Sequence, residues 1–316
     1  MTSIAISADD FGLLQGKVAL VTGGGNGIGS ALVELLASKG SKVVFVDLEE
    51  KQSSALAQRL SVKYGKGSVN FIRANVLDWQ SLRASFEYAF ELFGTIDLVI
   101  PVAGILETRD FLEMELDPVT GLLQEPSYLS FDINIKGVMN TVKLALHYFS
   151  KSPKKDVKRR LTLVDSTSGY FGGLGQLSYK ASKHGVTGVL RTLVNYTEQY
   201  GFVINAIAPS YTETYMMGPL KETWAQQGGP KNTPEQVAAA IAQISVDPQA
   251  QGQCWLIVNG KLTEIEKKIQ SLAPVWCGEE NLAQLGKGKQ ILDFIGNYPL
   301  PKKREVFNDH ENDAKL

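Results

Sequence analysis

The sequence predicts an α/β fold: a Rossmann-like, doubly wound parallel sheet of about seven strands in a three-layer α/β/α arrangement. Three observations predict it. Short apolar runs alternate with helix-periodic segments over the first 260 residues. The first run, Val18-Ala19-Leu20-Val21, leads directly into Thr22-Gly23-Gly24-Gly25-Asn26-Gly27-Ile28-Gly29, a glycine-rich turn that opens a helix. Strands separated by helices join through right-handed crossovers and therefore lie parallel.

The elements follow in order. Val18–Thr22 reads as a buried strand. Residues 29–39 carry Ala31, Leu32, Leu35 and Leu36 at helical spacing, and Gly40 ends the helix. Residues 42–46 form a strand closing on Asp47, residues 51–64 a helix and residues 69–73 a strand. A helix over 79–93 stops at Gly94, and 96–102 is the fourth strand. Residues 105–130, with Pro118, Gly121 and Pro126, make an irregular connection. A long helix over 132–149, a basic turn over 151–160 and a strand over 161–164 follow. Residues 176–199 read as a helix, 202–207 as the sixth strand and 211–233 as an excursion. The helix over 234–245 and the strand over 254–258 complete the sheet. The expected organisation is an N-terminal arm (1–15), one nucleotide-binding and catalytic domain (16–260), and an extension (261–316) that begins helical and ends in a charged tail.

Composition narrows the function. The chain has 316 residues, 44 % of them hydrophobic and 21 % charged, as in ordinary globular proteins. A net charge of −1 gives no electrostatic case for nucleic acid or an anionic membrane. No run of eighteen apolar residues predicts a membrane span, and the N-terminus lacks the regions of a signal peptide. Two cysteines, Cys254 and Cys277, imply no disulfide framework and a reducing compartment. The final Ala314-Lys315-Leu316 is similar to a peroxisomal address, so the expected location is cytoplasmic or peroxisomal.

Two constellations carry chemistry. Glycines 23, 25, 27 and 29 let the main chain approach a pyrophosphate, and the amides that open the next helix face the phosphates. Asp47, at the end of the second strand, can accept hydrogen bonds from both adenosine-ribose hydroxyls and would repel a 2′-phosphate. The following Leu48-Glu49-Glu50 adds no cation, so NAD(H) is expected over NADP(H). Asn75-Val76 falls at the crevice where the adenine lies, although Asn75 reads equally well as a turn residue.

The second constellation is Tyr179 and Lys183, four apart in Ser178-Tyr179-Lys180-Ala181-Ser182-Lys183, with Ser166 thirteen residues before the tyrosine. Residues four apart share a helix face. A phenol titrates near pH ~10, too high for a base at neutrality; a nearby ammonium and a cationic nicotinamide both favour the phenolate. Tyr179 is the expected acid–base group, Lys183 its tuner and ribose anchor, and Ser166 the hydrogen-bond partner of the substrate oxygen; Ser168 is its rival. His147 and His184 read as structural, and no His, Cys and carboxylate spacing predicts a catalytic metal.

Together these residues resemble the short-chain dehydrogenase/reductase family over about residues 16–260. Thr22–Gly29 matches its glycine turn, and Ser166, Tyr179 and Lys183 match its Ser…Tyr-x-x-x-Lys core. The resemblance adds Asn134, in Phe131-Asp132-Ile133-Asn134, as the family's catalytic asparagine on a proton path through Lys183. It adds Thr22, Ala103, Gly104, Pro209 and Thr214 to the cofactor contacts. The sequence departs from the family at Pro101-Val102, where two asparagines are usual, at Asn75, where aspartate is commoner, and at Pro209-Ser210, where Pro-Gly is usual. Residues 179–191 and the 105–130 connection are most similar to fungal relatives of 15-hydroxyprostaglandin dehydrogenase.

The expected function is hydride transfer between NAD(H) and a small hydrophobic secondary alcohol or ketone. Tyr170, Tyr211, Tyr215, Met216 and Trp224, with Ser168, are the expected substrate contacts. A carbonyl reductase of a specialised-metabolite intermediate, a non-redox cyclase and a cofactor-binding scaffold are the alternatives. The resemblance also implies a homodimer or homotetramer, with Val138, Val142, Val189 and Leu193 on outer helix faces.

Overall fold

The computed structural model describes residues 3–4, 8–152, 158–218 and 220–295. Half of the basic turn, residues 153–157, and the C-terminal tripeptide singled out above lie outside these residues.

The strands are β1 (Ser3–Ile4), β2 (Val18–Thr22), β3 (Lys42–Asp47), β4 (Val69–Arg73), β5 (Leu98–Pro101), β6 (Arg159–Val164), β7 (Phe202–Pro209), β8 (Cys254–Val258) and β9 (Lys261–Glu264). They form one sheet in the order β1-β9-β8-β7-β6-β5-β2-β3-β4. From β2 to β8 every pairing is parallel. The helices are α1 (Gly27–Ser38), α2 (Glu50–Tyr64), α3 (Trp79–Phe93), α4 (Leu129–Phe131), α5 (Gly137–Lys151), α6 (Leu177–Leu193), α7 (Thr197–Tyr200), α8 (Leu220–Gln226), α9 (Pro234–Ile244), α10 (Glu266–Ser271), α11 (Ala273–Cys277) and α12 (Glu279–Ile295).

Alternation along the strands builds two cores. Ala19 and Val21 of β2, with Val43 and Phe45 of β3, pack under α1, α2 and α9. Leu20, Val44 and Val46 point the other way, against Phe86 of α3, Val142 of α5 and Val186 of α6. These three layers are the expected ones. One buried ion pair ties strands of the sheet: the Asp97 carboxylate accepts the Val18 amide at 2.9 Å and binds the Arg159 guanidinium.

Two strands exceed the expected seven. The segment after residue 260 begins not as a helix but as β9, which pairs antiparallel with β8 and with β1. The signal was Asn259-Gly260. Both residues take positive φ (49° and 72°), the conformation a tight hairpin needs. The chain accordingly divides after Glu266 rather than after residue 260, because β9 belongs to the sheet. In the second unit, α11 and α12 bury no residue.

The outer helix faces expected to pair subunits are not outer. Val138 and Val142 are buried, and Val189 and Leu193 pack against the same core. Alternation of apolar residues on a helix marks a buried face, and here the sheet of the same chain buries it.

Candidate active site

Strand order reverses between β2 and β5, and in such sheets the crevice beyond the strand ends receives the ligand. A cavity of about 510 Å³ opens there. One end is lined by Gly23, Asn26, Gly27, Ile28, Gly29, Asp47, Leu48, Asn75 and Val76. The other holds Ser166, Ser168, Tyr179, Lys183, Tyr211, Met216 and Trp224. Ala103, Gly104, Pro209 and Thr214 also line it.

The nucleotide end is made mostly of main chain. Gly23 has φ 68°, and a Cβ there would stand 2.6 Å from the Ala103 Cα. A Cβ on Gly29 would overlap the Gly23 carbonyl oxygen. The turn therefore folds onto itself only with glycine at these positions. Asn26 starts α1 without a side-chain cap bond, and the first turn carries no acidic residue. Its orphan amides and positive dipole end suit an anion. Thr22 and Gly25 stand behind the lining: the Ala103 amide approaches Thr22 Oγ1 at 3.4 Å, and Gly25 donates to Asp47 Oδ2 at 2.8 Å. Leu48 and Glu49 amides donate to Asp47 Oδ1 at 2.8 and 3.1 Å, which fixes the carboxylate at the cavity edge. Asn75 is both a cavity residue and a turn residue. It lines the cavity, and its Oδ1 closes a turn by accepting from the Leu77 amide at 3.0 Å. These features fit a dinucleotide: a glycine cradle that a Cβ would fill, open helix amides and a carboxylate held at the cavity edge.

At the other end, β6 delivers Ser166 and α6 delivers Tyr179 and Lys183. Lys183 Nζ donates to the Val164 carbonyl at 2.9 Å and lies 5.8 Å from the Tyr179 ring centroid. Ser166 Oγ donates weakly to the Pro209 carbonyl at 3.5 Å and accepts from the Ser168 amide at 3.1 Å. Ser168 thus holds its rival in place through its main chain. Tyr211 and Trp224 stack with centroids 4.5 Å apart and 4° between planes, and Trp224 Nε1 donates to the Pro230 carbonyl at 2.9 Å. His184 is exposed, its Nδ1 3.0 Å from the Lys180 carbonyl. His147 packs edge-on against Tyr148.

Besides Thr22 and Gly25, three expected site residues do not reach the cavity. Tyr170 Oη donates to Glu266 Oε2 at 2.9 Å, and its ring packs on the core. Tyr215 is 94 % exposed and does not line the cavity. Asn134 is fully buried behind the wall: Oδ1 accepts from the Ile105 amide at 2.9 Å, and Nδ2 donates to the Ile105 carbonyl at 2.9 Å and to Ser182 Oγ at 3.1 Å. Its segment, Asp132–Lys136, is a π-turn in which the Gly137 amide reaches back five residues to Asp132. Such one-turn bulges re-aim side chains at functional sites. The asparagine amide is a brace between the cavity wall and α6.

Sequence reading missed four residues. Gln176 lines the cavity with a positive φ of 55°, and makes no cap bond to α6. Glu107 Oε1 supplies that cap instead, accepting from the Ser178 amide at 2.6 Å. Asn232, fully buried, ties the loop after β7 together through Ser210 Oγ and the Ile257 carbonyl, both at 3.1 Å. Asp165, next to Ser166, is also buried in the cavity wall. Only Gln176 was announced, by the glycines that precede it; the other three act on partners distant in sequence.

Comparison with known proteins agrees with this geometry. A family profile described as short chain dehydrogenase matches residues 17–225. The chain is 29 % identical to the short-chain dehydrogenase/reductase prx4 of Penicillium rubens, over 93 % of this chain and 90 % of that protein. It is 32 % identical to the short-chain dehydrogenase/reductase ascJ of Acremonium egyptiacum, over 85 % and 87 %. It is 30 % identical to the 3-oxoacyl-[acyl-carrier-protein] reductase FabG of Aquifex aeolicus, over 72 % and 89 %. The crystal structure of gox2181 superposes with a TM-score of 0.65 at 25 % identity, covering 79 % of this chain and 96 % of that one. The protein therefore belongs to the short-chain dehydrogenase/reductase family of oxidoreductases. Among the described residues no helix is long and apolar enough to cross a membrane, and no group of three or more His, Cys, Asp or Glu could hold a metal ion.

Proposed function

We propose that the protein is an NAD(H)-dependent oxidoreductase acting on a hydrophobic secondary alcohol or its ketone, with Tyr179 as the acid–base group. One observation carries the reading: a single cavity has the glycine turn and Asp47 at one end and Ser166, Tyr179 and Lys183 at the other. When bound, the nicotinamide dinucleotide supplies the hydride donor or acceptor. Gly23–Gly29 and the first amides of α1 hold its phosphates, and Asp47 its adenosine ribose.

The chain's own residues handle the proton. Tyr179 Oη takes it from the alcohol or gives it to the ketone oxygen. The Lys183 ammonium, fixed by the Val164 carbonyl, stands 5.8 Å from the Tyr179 ring centroid, beside the phenol it serves. Ser166 Oγ holds the substrate oxygen; its 3.5 Å bond to Pro209 is long enough to exchange readily. Asn134 keeps Ile105 and Ser182 in register, so the wall facing Tyr179 stays fixed. The stacked Tyr211–Trp224 pair, with Met216, Met217 and Leu220, gives the substrate end an apolar face. That face supports a hydrophobic substrate. A carbonyl reductase would use the same residues in the opposite direction.

NAD-linked turnover of a panel of hydrophobic secondary alcohols, run in parallel with the matching ketones and NADH, tests the reading. Turnover lost in Tyr179→Phe supports it. Turnover retained in that variant contradicts it.

A further inference from the structure

Asp165 is a buried ionisable group next to the proton-handling residues, and the mechanism above does not use it. It follows the last residue of β6, precedes Ser166, lines the cavity and is 3 % exposed. Its Oδ2 accepts from Thr187 Oγ1 at 2.7 Å. Its Oδ1 is buried without a partner. The turn after Ser166 closes on that oxygen, since a Cβ on Gly169 would stand 2.5 Å from it.

Lys183 and Thr187 are four apart on α6 and reach the same place. Lys183 donates to the carbonyl of Val164, the residue before Asp165, and its charge acts on the Asp165 carboxylate. The same ammonium is 5.8 Å from the Tyr179 ring centroid. One cation therefore serves both a buried carboxylate and a phenol. The other groups facing Asp165 leave that coupling intact. His184, next on α6, is exposed and adds a weaker attraction. The Cys254 thiol of β8 is held neutral by complete burial, and the Tyr170 hydroxyl is committed to Glu266.

We propose that Asp165 is a counter-charge to Lys183 that restrains ionisation of Tyr179, and so acts as a positioning residue for the acid–base step. This rests on the role of Tyr179 argued above. Burial pushes the Asp165 carboxyl up to about 6, with Lys183 and Thr187 pulling against it. Above that pH the site holds an anion that offsets part of the lysine's field. Phenolate formation then places a second negative charge around one cation.

Asp165→Asn isolates the charge, because the amide oxygen still accepts from Thr187. The phenolate ultraviolet absorbance is followed as pH rises in the wild type and in Asp165→Asn. Each is compared with the same background carrying Tyr179→Phe, which isolates one phenol among eleven tyrosines. The expected result is that the Tyr179 signal appears about one pH unit lower in Asp165→Asn, a tenfold change in the ionisation constant. Superposed curves would overturn the proposal and show that Asp165 is only a brace between β6 and α6. Asp165→Ser removes the same charge in a smaller side chain and predicts the same direction if the asparagine variant does not fold. The titration needs no turnover, so its failure leaves the acid–base role of Tyr179 standing. Turnover by Tyr179→Phe would sink that role whatever the titration shows.

Discussion

The nucleotide end and the substrate end of the cavity are built by different means. At the nucleotide end eight consecutive residues, Thr22–Gly29, form the cradle, and Asp47 is held by three main-chain amides. Backbone does the work, so side chains there are small. At the substrate end the wall comes from residues 105–106 and from within 164–183 and 209–224, braced by Asn134, Glu107 and Asn232, which do not line it. A motif can specify the first because its contacts are local. The second depends on which distant segments the fold brings together. The proposed catalytic residues sit where the two meet, just after β6 and on α6.

Several substitutions test this division. Tyr179→Phe keeps the ring and removes the hydroxyl. Turnover should fall by about 10²–10⁴-fold, while NADH binding, measured by fluorescence, stays near wild type. Equal losses of both would mean that the two ends are not separable.

Asp165→Asn should act on stability in the opposite sense to an ordinary loss of a buried contact. Its carboxyl has a raised folded-state value of about 6 against 3.8 for the free group. The folded protein therefore binds this proton more tightly than the unfolded chain. The contribution is fully present below about pH 4 and is lost as pH rises through about 6. Denaturant melts should show the asparagine variant gaining about 2–3 kcal/mol on the wild type between pH 4 and pH 7. Parallel pH curves would mean that the carboxylate is compensated by a partner.

Asp47→Ala should weaken NADH by about 1.5–3 kcal/mol, the range for hydrogen bonds to a charged group, and reduce discrimination against NADPH. Unchanged preference would place selectivity elsewhere, with Arg73 at the end of β4 as the nearest cation to examine; it pairs in register with Asp47. The smallest effect belongs to Trp224→Ala. Removal of the stacked ring should raise KM for bulky apolar substrates by roughly tenfold, about 1.4 kcal/mol, and leave NADH affinity untouched.

The same contrast explains what the sequence disclosed. Val18–Gly29 reads directly because a buried strand, a glycine turn and a helix are consecutive and each has its own periodicity. Tyr179 and Lys183 read because helical spacing brings them to one face. Tyr170 misled because an aromatic residue after Ser166 can turn either way, and only Glu266, ninety-six residues on, decides it. Val138 and Val142 misled for a related reason: periodicity shows that a helix has an apolar face but not what covers it. The β8–β9 hairpin is legible in Asn259-Gly260, against the expectation that residues 261–316 begin helical.

The most direct test of the central claim, that one cavity joins an NAD(H) cradle to a tyrosine acid–base site, is a fluorescence titration of wild type and Tyr179→Phe with NADH and NADPH, paired with turnover. The account predicts tighter binding of NADH than of NADPH by both proteins, with turnover only in the wild type. Preference for NADPH, or turnover surviving in Tyr179→Phe, would contradict it.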